Sequence, residues 1–346
     1  MIDNQRRQED TAGGWRTEEA RCRIASSMPA SGYKKDTFRP SMVFISKANT
    51  VWLNRQHNDW KGFFHLNGPK LQYHTNTENS VVTLSYDLYE GKKPGPPLVL
   101  LHGLFGSKSN FQSIARALVR RIGRTVLTLD ARNHGSSPHC DTITYPAMSA
   151  DVCHLLQQLN IDRCVLIGHS MGGKTAMTVA LQEPHMVERL VSVDISPSPT
   201  TPQTGFPQYI KAMQNVHLEG KMPRSTARRL AEEQLSAIVK EPSVRQFLLT
   251  NLVQENGHFK WRVNLDAVSN HLLDLLDFPE FHSSYPGPAL FLGGANSPYI
   301  SSENYPDIER LFPCANVEYI EGAGHWVHAE KTQDFLHAIC NFVEST

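Results

Sequence analysis

Apolar and polar positions follow two periods along most of this chain. Val81 to Tyr89 (VVTLSYDLY) alternates between them, the period of a strand with one face toward solvent. Leu98 to Leu101 is an unbroken apolar run, as in a strand buried on both faces. Between Asn110 and Arg121 the apolar residues Phe111, Ile114, Ala115, Leu118 and Val119 fall at helical spacing. Thr125–Leu129 reads as the next strand. Met148, Val152, Leu155, Leu156 and Leu159 then mark a helix, Arg163–Ile167 a strand, Gly173–Leu181 a helix and Leu190–Ile195 a strand. Such alternation predicts an α/β fold: a mostly parallel sheet with helices on both faces.

The pattern changes after Pro197. From about 199 to 284 the chain reads as helices without intervening strands, with segments at Ser225–Val239, Ser243–Val253 and Leu265–Phe278. Ala289–Leu292 and Val317–Ile320 resume the strands, and Thr332–Val343 closes the chain as a helix. A helical insertion between two core strands predicts a cap over a site on a single domain spanning 81–346.

Residues 1–80 differ in composition. Arg21 to Asn58 holds seven Lys/Arg and one acid, Asp36, which resembles an organelle transit peptide and predicts mitochondrial delivery. The acids Asp3, Glu9, Asp10, Glu18 and Glu19 precede that stretch, a conflict that a start at Met28 or Met42 would remove. In the whole chain 34 basic residues balance 34 acidic ones, so no basic excess points to a nucleic-acid partner. No apolar run reaches the roughly 18 residues of a spanning helix. Cys22, Cys140, Cys153, Cys164, Cys314 and Cys340 are scattered without metal-ligand spacing. They read as thiols in a reducing compartment, mostly core-filling. No metal or cofactor is expected.

The chemistry starts at Gly168-His169-Ser170-Met171-Gly172. A G-x-S-x-G between a buried strand and a helix predicts a nucleophile elbow, with the serine held in a strained turn that its glycines make room for. His169 is the variable position of that motif. A serine hydroxyl needs a base, and the base an orienting acid, in the chain order Ser, Asp/Glu, His. His325, in Glu321–Trp326 after the last strand, is the expected base. His328, three residues on, is its rival. The acid has two candidates. The loop Gly293–Pro298 carries no carboxylate. Asp194, at the end of the strand after the elbow helix, is preferred; Asp266, in the cap, is second and otherwise reads as a helix-start carboxylate. The N–H groups of Met171 and of Leu104, in the loop His102–Ser107, are the expected oxyanion donors. Asp130–Ser137 lacks a phosphate-loop pattern and reads as a structural turn. Lys174 stands four residues past Ser170, not three, so a Ser-x-x-Lys mechanism is not supported.

With these residues in view, the chain resembles an α/β-hydrolase, and more narrowly the family of alpha/beta-hydrolase domain-containing protein eleven, with YbfF-type esterases as relatives. HGLFGSKSNF (His102–Phe111), LDARNHGSSPH (Leu129–His139), GHSMGGKTAM (Gly168–Met177), VDISP (Val193–Pro197), RVNLDAV (Arg262–Val268) and GAGHWVHAE (Gly322–Glu330) carry the likeness, over about 81–344. The resemblance implies cofactor-free lipid ester hydrolysis, including sn-1-selective diacylglycerol lipase activity, and mitochondrial residence. It also implies Ser170 and His325 as nucleophile and base. Bacterial relatives imply Asp194 as the acid, while Asp266 also falls in a family-like segment. Acyl thioester hydrolysis uses the same machinery. A ligand-binding or scaffold protein that merely keeps the fold is the reading from another class. Cap leucines such as Leu248, Leu249, Leu252 and Leu272 are candidates to accept an acyl chain.

Overall fold

The computed structural model describes residues 80–200 and 205–345. The expected leader, except Ser80, lies outside these residues, and so does Cys22.

Among the described residues nine strands follow in chain order: β1 (Tyr86–Tyr89), β2 (Leu98–Leu101), β3 (Val126–Leu129), β4 (Cys164–His169), β5 (Val187–Val193), β6 (Leu252–Glu255), β7 (His258–Trp261), β8 (Ala289–Gly294) and β9 (Ala315–Ile320). Seven form one sheet in the order β1-β3-β2-β4-β5-β8-β9. Only β1 runs antiparallel, pairing Tyr86 with Leu129 at the sheet edge; all other neighbours are parallel. Of the expected strand Val81–Tyr89, only the last four residues pair. From β2 the chain steps to β3 on one side and then crosses back to β4 on the other, from which the sheet grows outward. The carboxyl ends of β2 and β4 therefore flank a switch point, where α/β sheets open a crevice.

Helices α1 (Gln112–Ile122), α2 (Tyr145–Gln158) and α3 (Met171–Gln182) connect the early strands. The cap holds α4 (Phe206–Gln214), α5 (Arg224–Ser236), α6 (Pro242–Leu249), α7 (Leu265–Asn270) and α8 (Leu272–Leu276), and α9 (Tyr305–Leu311), α10 (Val327–Glu330) and α11 (Thr332–Glu344) follow. The cap is not purely helical. The expected helix over Ser243–Val253 stops at Leu249, and β6 and β7 form an antiparallel hairpin in its place. Asn256 and Gly257, both at positive φ (51° and 82°), make its two-residue turn. The expected helix over Leu265–Phe278 breaks at His271 into α7 and α8.

Strand alternation sorts the core into two layers. Leu98, Leu100, Val165 and Ile167 face Ile114 and Leu118 of α1 and Phe335 and Ile339 of α11. Val99, Leu101 and Leu166 face Leu155 and Leu156 of α2 and Ala176 and Ala180 of α3. Each such side chain, taken fully out of water, contributes about 1.5–3 kcal/mol before chain entropy is charged against it. Of the cysteines, Cys164 is buried in this core, while Cys153 and Cys340 only pack against it, so the expectation of mostly core-filling thiols is corrected.

The turn Asp130–Ser137 is structural, as expected. Asp130 accepts the Lys108 and Ser136 N–H groups, each at 2.8 Å. Arg132, buried, donates from Nε to Asp151 Oδ2 (2.6 Å) and from Nη2 to Oδ1 (2.7 Å), which ties the turn to α2. Asn133 carries the cap, accepting at its carbonyl the Asn264 N–H at 3.0 Å.

Candidate active site

Ser170 joins β4 to α3 at φ 52°, ψ −118°, a conformation that costs of order 1–3 kcal/mol outside glycine. Its two flanking glycines have no room for a side chain. A Cβ on Gly168 would lie 2.1 Å from the Gly172 carbonyl oxygen, and one on Gly172 would lie 2.3 Å from that of Leu101. The turn is thus as tight as the motif requires. The hydroxyl does not cap α3, so it is not spent on holding its own helix.

His325 follows β9, and its Nδ1 lies 2.7 Å from Asp194 Oδ2. Nδ1–H therefore donates to the carboxylate, and Nε2 is the nitrogen left to take a proton. Asp194 sits just past β5 at φ 52° and is fully buried. Aspartate is among the few residues that tolerate that conformation. Its Oδ1 accepts the Gly294 N–H at 2.9 Å, and its Oδ2 also accepts from the Ser297 hydroxyl. The loop Gly293–Pro298, which lacks a carboxylate, thus supplies donors to one contributed by the neighbouring strand. Tyr299 stacks on the His325 ring, centroids 4.1 Å apart.

The second acid candidate does not reach the histidine. Asp266 lies in the first turn of α7 and accepts from Gln214 Nε2 at 3.0 Å, at the cap surface. It is a helix-start carboxylate. His328 is not placed as a base either. It lies buried in α10, and its Nδ1 has no hydrogen-bond partner and so no orienting acid. Burial and the neighbouring His325 push its pKa down to about 4.

His169 does more than fill the variable position of its motif, a correction to the sequence reading. Its Nε2–H donates to the His325 carbonyl at 2.8 Å, tying the elbow directly to the histidine loop. Its ring packs 4.7 Å from that of His325 and 4.6 Å from that of His328. Burial first, then these two rings, hold its pKa well below the usual histidine range. Nothing local in the sequence signals this contact, because its partner is 156 residues away.

Two further neutral histidines shape the loop after β2. His102 donates from Nδ1 to the Gly103 carbonyl (2.8 Å) and accepts the Ala131 N–H at Nε2 (3.0 Å). His134 donates from Nδ1 to the Arg132 carbonyl (3.0 Å) and accepts the Phe105 N–H at Nε2 (3.2 Å). Burial lowers the pKa of both, that of His134 to about 3. The Phe105 N–H is taken by His134 and the Gly106 N–H by the Gly103 carbonyl (2.9 Å), so neither of these is free to meet an oxyanion, whereas the Leu104 N–H makes neither contact. Met171 opens α3, where a backbone N–H has no partner within the helix. Leu104 and Met171 share with Ser170 the lining of a small cavity.

A cavity of about 120 Å³ is lined by both Ser170 and His325. Phe111, Phe206, Phe247, Leu248 and Trp326 make its walls largely apolar, and the cap supplies three of these five. Of the candidate acyl-binding leucines, Leu248 lines this cavity and Leu272 the smaller one. Leu249 and Leu252 belong to the cap core. Among the described residues no group of His, Cys, Asp or Glu is arranged to hold a metal, and no helix is long and apolar enough to cross a membrane.

The comparisons with known proteins agree with this geometry. Residues 96–332 match the model of the alpha/beta hydrolase fold family. The sn-1-specific diacylglycerol lipase ABHD11 of Xenopus tropicalis is 75% identical over 310 residues, covering 87% of this chain and 97% of that protein. That match reaches upstream of residue 81, further than the resemblance read from the motifs. Esterase YbfF of Escherichia coli is 35% identical, covering 71% and 92%. A solved marine microorganism esterase superposes with a TM-score of 0.70 at 33% identity, covering 75% of this chain and 99% of its own. By its elbow, its sheet order and these matches, the chain belongs to the α/β-hydrolase fold family.

Proposed function

We propose that the chain hydrolyses carboxylic esters of lipids, diacylglycerol among them, through an acyl-enzyme on Ser170. The observation that carries this reading is the 2.7 Å contact of His325 Nδ1 with buried Asp194, beside a strained serine in the same apolar cavity. His325 Nε2 takes the Ser170 proton as Oγ attacks the ester carbonyl. The Leu104 and Met171 N–H groups meet the oxyanion, each contributing about 3–4 kcal/mol. The alcohol leaves with the proton from His325, and a water activated by the same nitrogen then releases the acid. The three donors on Asp194 keep the carboxylate in place to stabilise the imidazolium. The apolar walls suit acyl chains, and the printed activity of the 75% identical frog protein supports diacylglycerol as a substrate.

The test is turnover of an ester, thioester and diacylglycerol series by the wild type and Ser170→Ala. Turnover should fall by a factor on the order of 10⁴–10⁶ in the variant. A serine-directed phosphonate should label only the wild type. A wild type that turns over none of the series and resists the label would leave a ligand-binding protein on a hydrolase fold. The basic stretch within residues 21–58 supports mitochondrial delivery; a reporter fused to residues 1–80 that stays in the cytosol would count against it.

A further inference from the structure

Lys174 is a buried lysine that the chemistry above does not use. It lies one turn into α3, its N–H donating to the Ser170 carbonyl at 3.0 Å, and its side chain is 1% exposed. Its ammonium has three acceptors and no carboxylate among them: Thr200 Oγ1 at 3.1 Å, the Leu276 carbonyl at 3.0 Å and the Asp277 carbonyl at 2.9 Å. All three donors of the ammonium are spent, so it has none left for a substrate. The acceptors come from the two ends of the cap insertion: Thr200 where it leaves the sheet, and Leu276 and Asp277 at the end of α8, where helix carbonyls lack partners. The two ends also meet each other, the Thr200 N–H donating to the Leu276 carbonyl at 2.6 Å. Tyr145 of α2 adds a bond from its hydroxyl to the Leu275 carbonyl at 2.6 Å.

The same seam closes the small cavity beside the serine. That cavity, about 20 Å³, is bounded on the core side by Leu104, Ser170 and Met171 and on the cap side by Phe206, Leu272 and Leu276. It is apolar and lies against both expected oxyanion donors. Its present volume has no room for a substrate group, so its width depends on how the cap ends are seated.

We propose that Lys174 is a positioning residue: its side-chain nitrogen clasps both ends of the cap to the helix that carries Ser170 and holds shut an apolar arm of the active site. Loosening the clasp opens that arm to bulkier acyl or glyceride groups. The clasp also responds to pH with a definite sign. Burial pushes the amine down to about 7 in the seated cap, while in water it returns to about 10.4. Opening therefore takes up a proton above pH 7, and raising the pH from 7 disfavours opening by up to about tenfold per unit. The groups facing the amine are Asp277, whose charge raises its pKa, and the Tyr145 ring 5.9 Å away. Tyr299 lines the same cavity, and His271 and Asp274 are paired with each other at 2.9 Å.

Hydrogen exchange on the full chain tests this without any substrate. In Lys174→Met, amides of 206–214 and 272–278 should exchange at least tenfold faster, while those of β4 and α1 keep wild-type rates. In the wild type, after correction for intrinsic exchange, opening at the cap ends should be flat from pH 6 to 7 and fall from pH 7 to 9. In Lys174→Met it should be flat throughout. Thr200→Val, which removes one acceptor, should lie between. Unchanged cap-end exchange, or acceleration spread equally over the sheet, overturns the clasp. If Lys174→Met does not fold, a wild type without the pH trend and a Thr200→Val without acceleration overturn it equally. A second arm rests on the ester-hydrolase reading. The preference for a two-chain diacylglycerol over a short-chain ester, as a ratio of kcat/KM, should rise at least fivefold in Lys174→Met. An unchanged ratio overturns the arm. A wild type that cleaves neither ester defeats the hydrolase reading and leaves the exchange result standing.

Discussion

At the scale of single residues, Asp194 is the most demanding assignment. Its carboxylate accepts from a backbone N–H, a serine hydroxyl and an imidazole, and its backbone is strained to bring them together. Asp194→Asn keeps the shape but presents an amide that favours the wrong histidine tautomer, so kcat should fall by a factor on the order of 10⁴. Asp266→Asn touches only an exposed glutamine contact and should stay within about twofold of wild type. Steady-state kinetics of the two variants decides between the aspartates; equal damage to both, or greater damage to Asp266→Asn, would reverse the assignment. Ser170 and His325 were legible in the sequence because each carries its own local setting, glycines around the serine and a glycine-rich loop before the histidine. The acid is less legible, with Asp194 only preferred over Asp266, because its partner is 131 residues away and the pairing is a property of neighbouring strand ends. His169 and Ser297 were missed for the same reason: each acts through a contact that no local pattern encodes.

Elements were legible in proportion to how regularly their burial repeats. The central strands are buried on both faces and stood out as apolar runs; β1, at the edge, pairs over only part of its alternating stretch. The hairpin β6–β7 was missed although Asn256-Gly257 is a strong turn signal. Leu248, Leu249, Leu252 and Val253 mimic helical spacing across its junction with α6, and that apparent period masked the turn. Elements also depend on polar ties that periodicity does not report. Arg132 and Asp151 are both buried and joined by two hydrogen bonds, linking the turn after β3 to α2. Arg132→Leu leaves a buried carboxylate without its cation and should cost about 3–5 kcal/mol in denaturant unfolding. Replacing both residues with leucine should recover much of that loss, because the penalty lies in the uncompensated charge. A double variant as unstable as Arg132→Leu would show that the pair contributes specific geometry that packing cannot replace.

Across the whole molecule, the site gathers its groups from the carboxyl ends of β2, β4, β5 and β9, with the cap as its roof. This convergence also places four histidines in or beside the sheet ends: His102, His134, His169 and His328, all buried. Burial lowers each pKa, to about 3 for His134 and about 4 for His328, with the other two lowered as well. Neutral imidazoles suit the site, since a second positive ring beside His325 would oppose its protonation during turnover. They carry a consequence for stability. In the unfolded chain each titrates near 6.5, so below that pH the unfolded state binds protons that the folded state refuses. Stability held above pH 6.5 is therefore lost as pH falls toward 4, by about 1.4 kcal/mol per unit for each such group. With His134, His169 and His328 acting together, unfolding between pH 6.5 and 5.5 should take up several protons, before most carboxylates begin to titrate. Denaturant unfolding at pH 7.0, 6.0 and 5.5 measures this as a steep fall in stability. His134→Gln should flatten the fall by about one proton, since a glutamine offers a donor and an acceptor without titrating. A stability independent of pH over this window would mean that these imidazoles are charged in the folded protein, and the neutral-histidine account of the site would fail with it.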